Sequence, residues 1–219
     1  MTLRNPLTKS GSILSGDSMG NPRGQTDFSY AYISELTFPA LEAKNRDAAQ
    51  ILLSFAPEGL KINRTPTTTA RFGTKQKVWQ CAHFRLTING LEESCAAVTA
   101  IEALTFTQDV VKDISGQVTG VGPLHVPNPV VYCPEEFAGQ FVDWHYDFLV
   151  NGNHLTANER TGSLEFLAPD KKTVYFTLLL SGLGIYGCAL EGEEMKAGAN
   201  RRRKVEIYCE TMTFGKGGL

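Results

Sequence analysis

Apolar positions recur most regularly in the last third of the chain, from Cys133 to Phe214. Phe137, Phe141, Trp144 and Phe148 fall at steps of four, three and four, a single stripe at the helical period. The spacing predicts a helix over Pro134–Val150. Pro134 suits the first helical position, Glu135 and Glu136 favour the positive end of the dipole, and Gly152 suits the C-terminal cap. Cys133, a poor N-cap, dissents. Strands are predicted next at Gly162–Ala168, Thr173–Tyr186 and Arg203–Phe214. The last alternates as Lys-Val-Glu-Ile-Tyr-Cys-Glu-Thr-Met-Thr-Phe, and Pro169-Asp170 predicts a hairpin between the first two.

Ahead of this block the pattern is looser. Tyr30–Phe38 and Ala49–Phe55 read as strands, stopped by Pro39 and Pro57. Trp79–Ile88 reads as another, with Phe84, Leu86 and Ile88 on one face. Asn89-Gly90 suits the positive backbone angles of a tight hairpin turn, so a return strand is expected from Cys95 through Val111, bent or broken. Asp113–Asn128 reads as loop or extended edge, and Asn63–Lys77 as a polar connection. Met1–Thr26, rich in Gly, Ser, Asn and Thr, reads as a flexible arm that a partner subunit would order. About seven strands to one helix predict a mainly β domain, a barrel or sandwich, with the helix covering a sheet or barrel opening. The expected division is an arm at 1–27, an additional hairpin and connection at 28–78, and the main β domain at 79–219. Ala-Leu-Glu recurs at 40–42 and 189–191, each time before a charged loop and a strand, a faint internal echo.

Composition is ordinary for a globular chain: 219 residues, 42% hydrophobic, 20% charged, formal net charge −2. The near-neutral balance argues against a surface devoted to nucleic acid or anionic membrane. No apolar run reaches the roughly 20 residues of a membrane-spanning helix. The N-terminus has no sustained apolar stretch before its small residues, so no secretory signal is expected and the chain reads as cytosolic. The cysteines (Cys81, Cys95, Cys133, Cys188, Cys209) are odd in number and widely spaced, which disfavours a disulfide framework. Cys81-x-His83 lacks a second close pair to complete a tetrahedral metal site.

Chemistry is sparse along the chain. Asp143 and Asp147 lie four apart on the expected helix, with His145 pointing elsewhere. An acid–base or metal role would need convergent partners, and the solvated face of an amphipathic helix is the competing reading. There is no Walker loop, because Gly215-Lys216 is followed by Gly-Gly, and no nucleophile elbow. Asn63-Arg-Thr65 matches a glycosylation sequon in a chain without a secretory signal. The one charge constellation is the loop from Glu191 to Lys204, with Glu191, Glu193 and Glu194 on one limb and Arg201, Arg202, Arg203 and Lys204 on the other. Three readings are open for it: a solvated hairpin with local ion pairs, a nucleic-acid patch, or a subunit interface in which complementary patches set register. Tyr30, Tyr32 and Trp79 are loose candidates for an exposed aromatic patch of a stand-alone binding module.

Four stretches taken in order carry a resemblance. They are Phe84-Arg-Leu-Thr-Ile-Asn-Gly-Leu91, the helix around Trp144, Gly162-Ser-Leu-Glu-Phe166, and Arg203 through Phe214. This order resembles the tail tube proteins of contractile phages, whose fold is similar to that of inner tubes of contractile injection systems and the type VI secretion tube. Leu36-Thr-Phe-Pro-Ala-Leu-Glu42 through Phe55-Ala-Pro-Glu58 looks like a leader in a tail-protein branch. The resemblance, over Trp79–Phe214, implies a β-barrel or sandwich with a flanking helix, assembling as hexameric rings that stack into or cap a tube. It implies no enzyme activity and no cofactor. The implied partners are the chain itself, sheath and baseplate proteins, and DNA or protein cargo in the lumen, within a tail-like particle built in the host or producer cytoplasm and without a membrane anchor. A tube subunit of this kind is shorter at the front, so the added front segment raises the alternative of a single specialised ring at the baseplate or terminal end.

Overall fold

The computed structural model describes residues 8–19, 21–64, 79–191 and 201–215. They form thirteen strands in two antiparallel sheets: β1 (Lys9–Gly16), β2 (Pro22–Phe38), β3 (Leu41–Glu42), β4 (Leu52–Ala56), β5 (Gly59–Asn63), β6 (Phe84–Ile88), β7 (Ala100–Ile101), β8 (Leu104–Lys112), β9 (Val118–His125), β10 (Val130–Pro134), β11 (Arg160–Leu167), β12 (Val174–Glu191) and β13 (Arg202–Phe214). The larger sheet runs β3-β7-β10-β13-β12-β11-β6, and the smaller β1-β2-β8-β9 with β4 and β5 also on β2. The fold is mainly β, as the alternation implies. Among the described residues neither sheet closes into a barrel. At one edge the two-residue β3 gives the Glu42 amide to Cys81 O, outside the sheet, at 3.2 Å.

The strands of the last third form as the alternation predicts. Residues opposed across β12 and β13 run in register from Leu178↔Phe214 to Glu191↔Arg202, with a bulge at Ile185/Gly187. Leu183, Ile185, Val205 and Ile207 along this ribbon are fully buried, the reward for strands longer than average. β11 and β12 make the expected hairpin. Asp170 closes its turn by accepting from the Lys172 and Thr173 amides and the Thr173 hydroxyl, which holds its carboxyl down at about 2.

The helix differs from its prediction. Pro134 is extended (ψ 139°) and ends β10 opposite Arg202, and the Glu135 amide continues the ladder to Arg201 O at 3.0 Å. A 3-10 turn over Glu135–Phe137 follows, then α2 (Gly139–His145) and a π-helical turn over Tyr146–Val150. Sheet pairing thus claims the residue that sequence rules assign to the first helical position. The Ser94 hydroxyl donates to Phe137 O at 2.6 Å, tying this entry to α1 (Glu92–Ala96). Phe141, Trp144 and Phe148 are buried as the stripe requires, but Phe137 lies in the 3-10 turn and is 53% exposed. Gly152 has the positive φ (73°) expected of a C-terminal cap.

Gly90 also has positive φ (81°), yet no hairpin follows. The Gly90 amide donates to Glu92 Oε1 at 2.8 Å, Leu91 is buried, and the chain enters α1. The partner of β6 is β11, far along the chain, so the local turn signal lost to burial of Leu91 and Cys95. The expected return strand is reduced to the two residues of β7 and to β8. Asp113–Asn128 takes the extended-edge option, as β9.

The expected flexible arm over Met1–Thr26 is the largest correction for the residues described, and its first seven residues lie outside them. β1 pairs along β2 from Lys9↔Ala31 to Gly16↔Pro22, and β2 runs through position 27 without a break. Asp17 stabilises the turn between them, accepting from the Met19 and Asn21 amides and pairing with Arg23 at 2.8 Å. β4 and β5 flank β2 in descending register, from Thr37↔Leu52 to Gln25↔Asn63, like one strand interrupted at Pro57-Glu58. Polar composition concealed these strands because their partners come from elsewhere in the front segment. Near the middle of β2, Tyr30 adopts a left-handed conformation (φ 49°) and gives its amide to Ser10 Oγ at 3.1 Å.

Both sheets contribute to one core. Phe38 of β2 stacks on Phe166 of β11 at 5.4 Å and lies near Phe106 (6.1 Å), Phe176 (5.7 Å) and Phe214 (6.1 Å). The helix joins the same core: α2 rests on β12, Phe148 meets Tyr208 at 6.1 Å, and Phe141, Trp144 and Phe148 belong to the cluster that holds Phe38.

Candidate assembly interface

The charged positions singled out by sequence gather where β10, β12 and β13 end. Arg201 Nε lies 3.0 Å from Glu135 Oε2, and Arg203 reaches the other oxygen of the same carboxylate at 3.7 Å. Arg202 pairs with Glu191 across the β12–β13 ladder, and its guanidinium lies 4.4 Å from the centre of the Tyr132 ring. Lys204 donates to Glu206 at 3.0 Å. Glu193 and Glu194 lie outside the described residues. All four basic side chains therefore have an acidic partner within their own chain. The solvated-hairpin reading is thereby represented for Glu191 and Arg202, while Arg201 and Arg203 look inward to the helix entry.

Glu135 stands in the first turn of the helical segment, as the sequence predicts, and its carboxylate there also meets two arginines, which the sequence does not predict. Tyr132 was missed altogether. Its hydroxyl donates to Glu102 at 2.5 Å, and that bond, with burial second, pushes its ionisation up to about 12, so it stays a neutral platform for Arg202. Alternation along β10 could have placed Tyr132 opposite Lys204, but only the pairing register supplies Glu102. A cleft of about 490 Å³ adjoins the cluster, lined among others by Glu42, Lys44, Glu135, Glu136, Arg201 and Arg202. Its walls mix both charges, which suits a polar, charge-paired contact better than an apolar ligand.

The other candidates do not converge. Asp147 accepts from the side chains of Asn151 (3.3 Å) and Asn153 (2.6 Å), which makes it the organiser of the helix end. Asp143 is exposed and His145 half-buried, with no shared focus between them. Among the described residues no group of three or more His, Cys, Asp or Glu could hold a metal ion. Trp79 is edge-on to Phe166 at 4.9 Å and to Phe176 at 5.5 Å, packed on the core and so unavailable to the aromatic patch suggested with Tyr30 and Tyr32. Cys95 is pushed up to about 12, and Cys133 and Cys209 to about 11, by burial, so these thiols are inert packing groups.

No family model matches the chain, and no curated protein does. Among solved structures it is similar to Hcp1 from Flavobacterium johnsoniae, at 13% identity over 61% of this chain and 95% of that one, with a TM-score of 0.38. It is also similar to a chain in the sheath-tube complex of an extracellular contractile injection system, PVC, in the extended state. There the identity is 10% over 61% of this chain and 88% of that one, with a TM-score of 0.45.

Proposed function

We propose that this chain is a structural, non-enzymatic subunit of a tail-like contractile apparatus, forming hexameric rings that stack into an inner tube through which DNA or effectors pass. One observation carries the reading: the four stretches that resemble tail tube proteins are neighbours in space. Phe84–Ile88 lies in β6, Gly162–Phe166 in the adjacent β11, Arg203–Phe214 in β13, and Trp144 on the helix packed over β12. Four matches scattered along a chain that meet in one sheet-and-helix unit are better support than four isolated matches. The physics agrees. Open sheet edges and exposed apolar strands favour association, and closing a ring removes edges. The unit would act passively, as a rigid conduit within a surrounding sheath.

The front segment favours a second form of the same reading. The strands β1, β2, β4 and β5 add a sheet arm to the unit that carries the resemblance, which suits a subunit of a single specialised ring at the baseplate or tube end. Electron microscopy of purified protein separates the two: elongating tubes support the repeating subunit, discrete rings support the adaptor. A clean monomer at high concentration sinks both. For the charged cluster, reversing Arg201, Arg202 and Arg203 together should weaken ring closure or stacking while the fold survives. Exposed pairs of this kind contribute about 0–1 kcal/mol each to folding. If such variant particles assemble normally at both low and high salt, this cluster is not an interface.

A further inference from the structure

The sequence holds two Asn-Gly dipeptides, Asn89-Gly90 and Asn151-Gly152, each preceded by a β-branched residue, Ile88 or Val150. Asn-Gly loses ammonia spontaneously more readily than other pairs, because no Cβ on the glycine hinders its nitrogen from reaching the asparagine side chain. Both pairs are exposed and both glycines have positive φ (81° and 73°), so neither access to water nor the glycine conformation separates them. Hydrogen bonding does.

At Asn89 every group that the reaction must move is held. The Gly90 amide, the nucleophile, donates to Glu92 Oε1 at 2.8 Å. The Asn89 carboxamide donates through Nδ2 to Thr161 Oγ1 at 2.7 Å, and the Asn89 carbonyl oxygen accepts from Arg160 Nη1 at 2.6 Å. Arg160 also fills the space where a Gly90 Cβ would stand, and its guanidinium lies 5.4 Å from the centre of the Trp144 ring. The Gly90 amide in turn holds the Glu92 carboxyl below its usual range, so an anion faces the nitrogen that would have to lose a proton. Asn151 is held far less. It follows the π-helical turn at φ −80°, ψ −8°. Its Nδ2 reaches Asp147 Oδ1 at 3.3 Å, on the oxygen that Asn153 Nδ2 already meets at 2.6 Å. Among the described residues nothing accepts from the Gly152 amide, and apart from its chain neighbours nothing lies within 4 Å of where a Gly152 Cβ would stand.

We propose that Asn151-Gly152 is a site of spontaneous deamidation in the folded chain, and that its twin at Asn89-Gly90 is locked against the same reaction. The Gly152 nitrogen gives its proton to hydroxide and attacks Asn151 Cγ. The N–Cγ bond forms, the Cγ–Nδ2 bond breaks, and Nδ2 takes a proton from water and leaves as ammonia. Water then opens the five-membered imide at either carbonyl, giving aspartate or isoaspartate at 151; nothing is oxidised or reduced. Bringing the atoms together requires rotation about ψ of Asn151. That rotation breaks the 3.3 Å side-chain bond and the Asn153 amide bond to Asp147 O (3.2 Å), both at a helix end, where structure frays most easily. At Asn89 it breaks three short bonds, two of them to charged groups, which slows the reaction at least about tenfold relative to Asn151. The product at 151 sets a second negative charge one helical turn from Asp147, at the C-terminal end of the segment, where it opposes the dipole. Deamidation thus loosens the end of the helix that buries Phe148.

The test is peptide mapping of the full chain after incubation in mildly alkaline buffer, reading the amide-to-acid mass shift and isoaspartate at each site. In the native chain, conversion at 151 should run at least about tenfold faster than at 89. In guanidinium the two rates should draw level, because the unfolded dipeptides have like neighbours and no bonds to tell them apart. Equal native rates, faster conversion at 89, no conversion at 151, or the native ratio persisting in guanidinium overturns the proposal. Glu92→Ala removes the acceptor of the Gly90 amide from an exposed position, and should speed conversion at 89 while leaving 151 as it was; an unchanged rate at 89 refutes the lock. Asn151→Asp, a stable mimic of one product, should lower hydrogen-exchange protection over residues 146–153, and wild-type protection there refutes the loosening of the helix end.

Discussion

Phe38→Ala probes the joint on which the architecture depends. Phe38 is the last residue of β2, 1% exposed, and its ring meets Phe106 of the smaller sheet and Phe166, Phe176 and Phe214 of the larger. Alanine would leave a cavity at the point where the two sheets share a core. Buried Phe→Ala changes cost about 3–5 kcal/mol, and the four aromatic neighbours place this site in the upper half of that range. Against a total of ~5–15 kcal/mol the variant should fold but with much of its margin gone. With a urea slope of ~2–3 kcal/mol/M, a loss of ~4 kcal/mol moves the unfolding midpoint down by ~1.3–2 M. Tryptophan emission is the natural probe because Trp79 lies edge-on to Phe166 and Phe176, in the same aromatic cluster. The measurement belongs at a concentration where sedimentation shows a monomer, so that assembly does not add to stability. Phe28→Ala, on the half-exposed front face, is the control and should move the midpoint far less. A Phe38→Ala shift below about 0.3 M, or one no larger than the control's, would refute the shared-core account.

Other expectations follow from the same geometry. A Cβ at Gly162 would meet the Thr87 carbonyl oxygen at 2.3 Å and Ile88 Cα at 3.2 Å, so Gly162→Ala must push β6 from β11. A loss of about 1–3 kcal/mol is expected, with β6 amides the first to lose hydrogen-exchange protection; wild-type protection there would count against it. Cys95, Cys133 and Cys209 should resist a thiol reagent at pH 8 until the chain unfolds; their prompt reaction in the native protein would contradict the burial. Their folded values of about 12, 11 and 11 exceed the ordinary 9.0. The stability this gives is complete below pH 9 and is lost as pH rises towards 11–12, because the unfolded chain ionises first. A denaturation midpoint that does not fall across that interval would contradict the sign.

How much could be read from the sequence varies by element. β11, β12 and β13 were legible because each alternates over many residues and pairs mostly with its neighbour along the chain. The buried stripe Phe141, Trp144 and Phe148 was legible for the equivalent reason at the helical period. Asn89-Gly90 misled because a turn dipeptide fixes backbone angles and not the element that follows. β1 and β5 were missed because their alternation is diluted by Ser, Gly and Asn, and because their edges are satisfied only by β2. At the charged cluster, residue types identified Arg201, Arg202 and Arg203, but their partners Glu135 and Tyr132 sit some seventy positions earlier.

The sequence by itself determined the class of this protein: a β-rich chain with one amphipathic helix and little catalytic chemistry along it. Periodicity reports which side of an element avoids water, and that is a local property. Tertiary structure alone decided which strands became neighbours, and hence that β6 joins β11, that Pro134 belongs to a sheet, and that the front segment is an ordered sheet. Pairing register and burial are settled by competition among distant segments for the same hydrogen bonds and the same core volume, and no short stretch of residues carries that information.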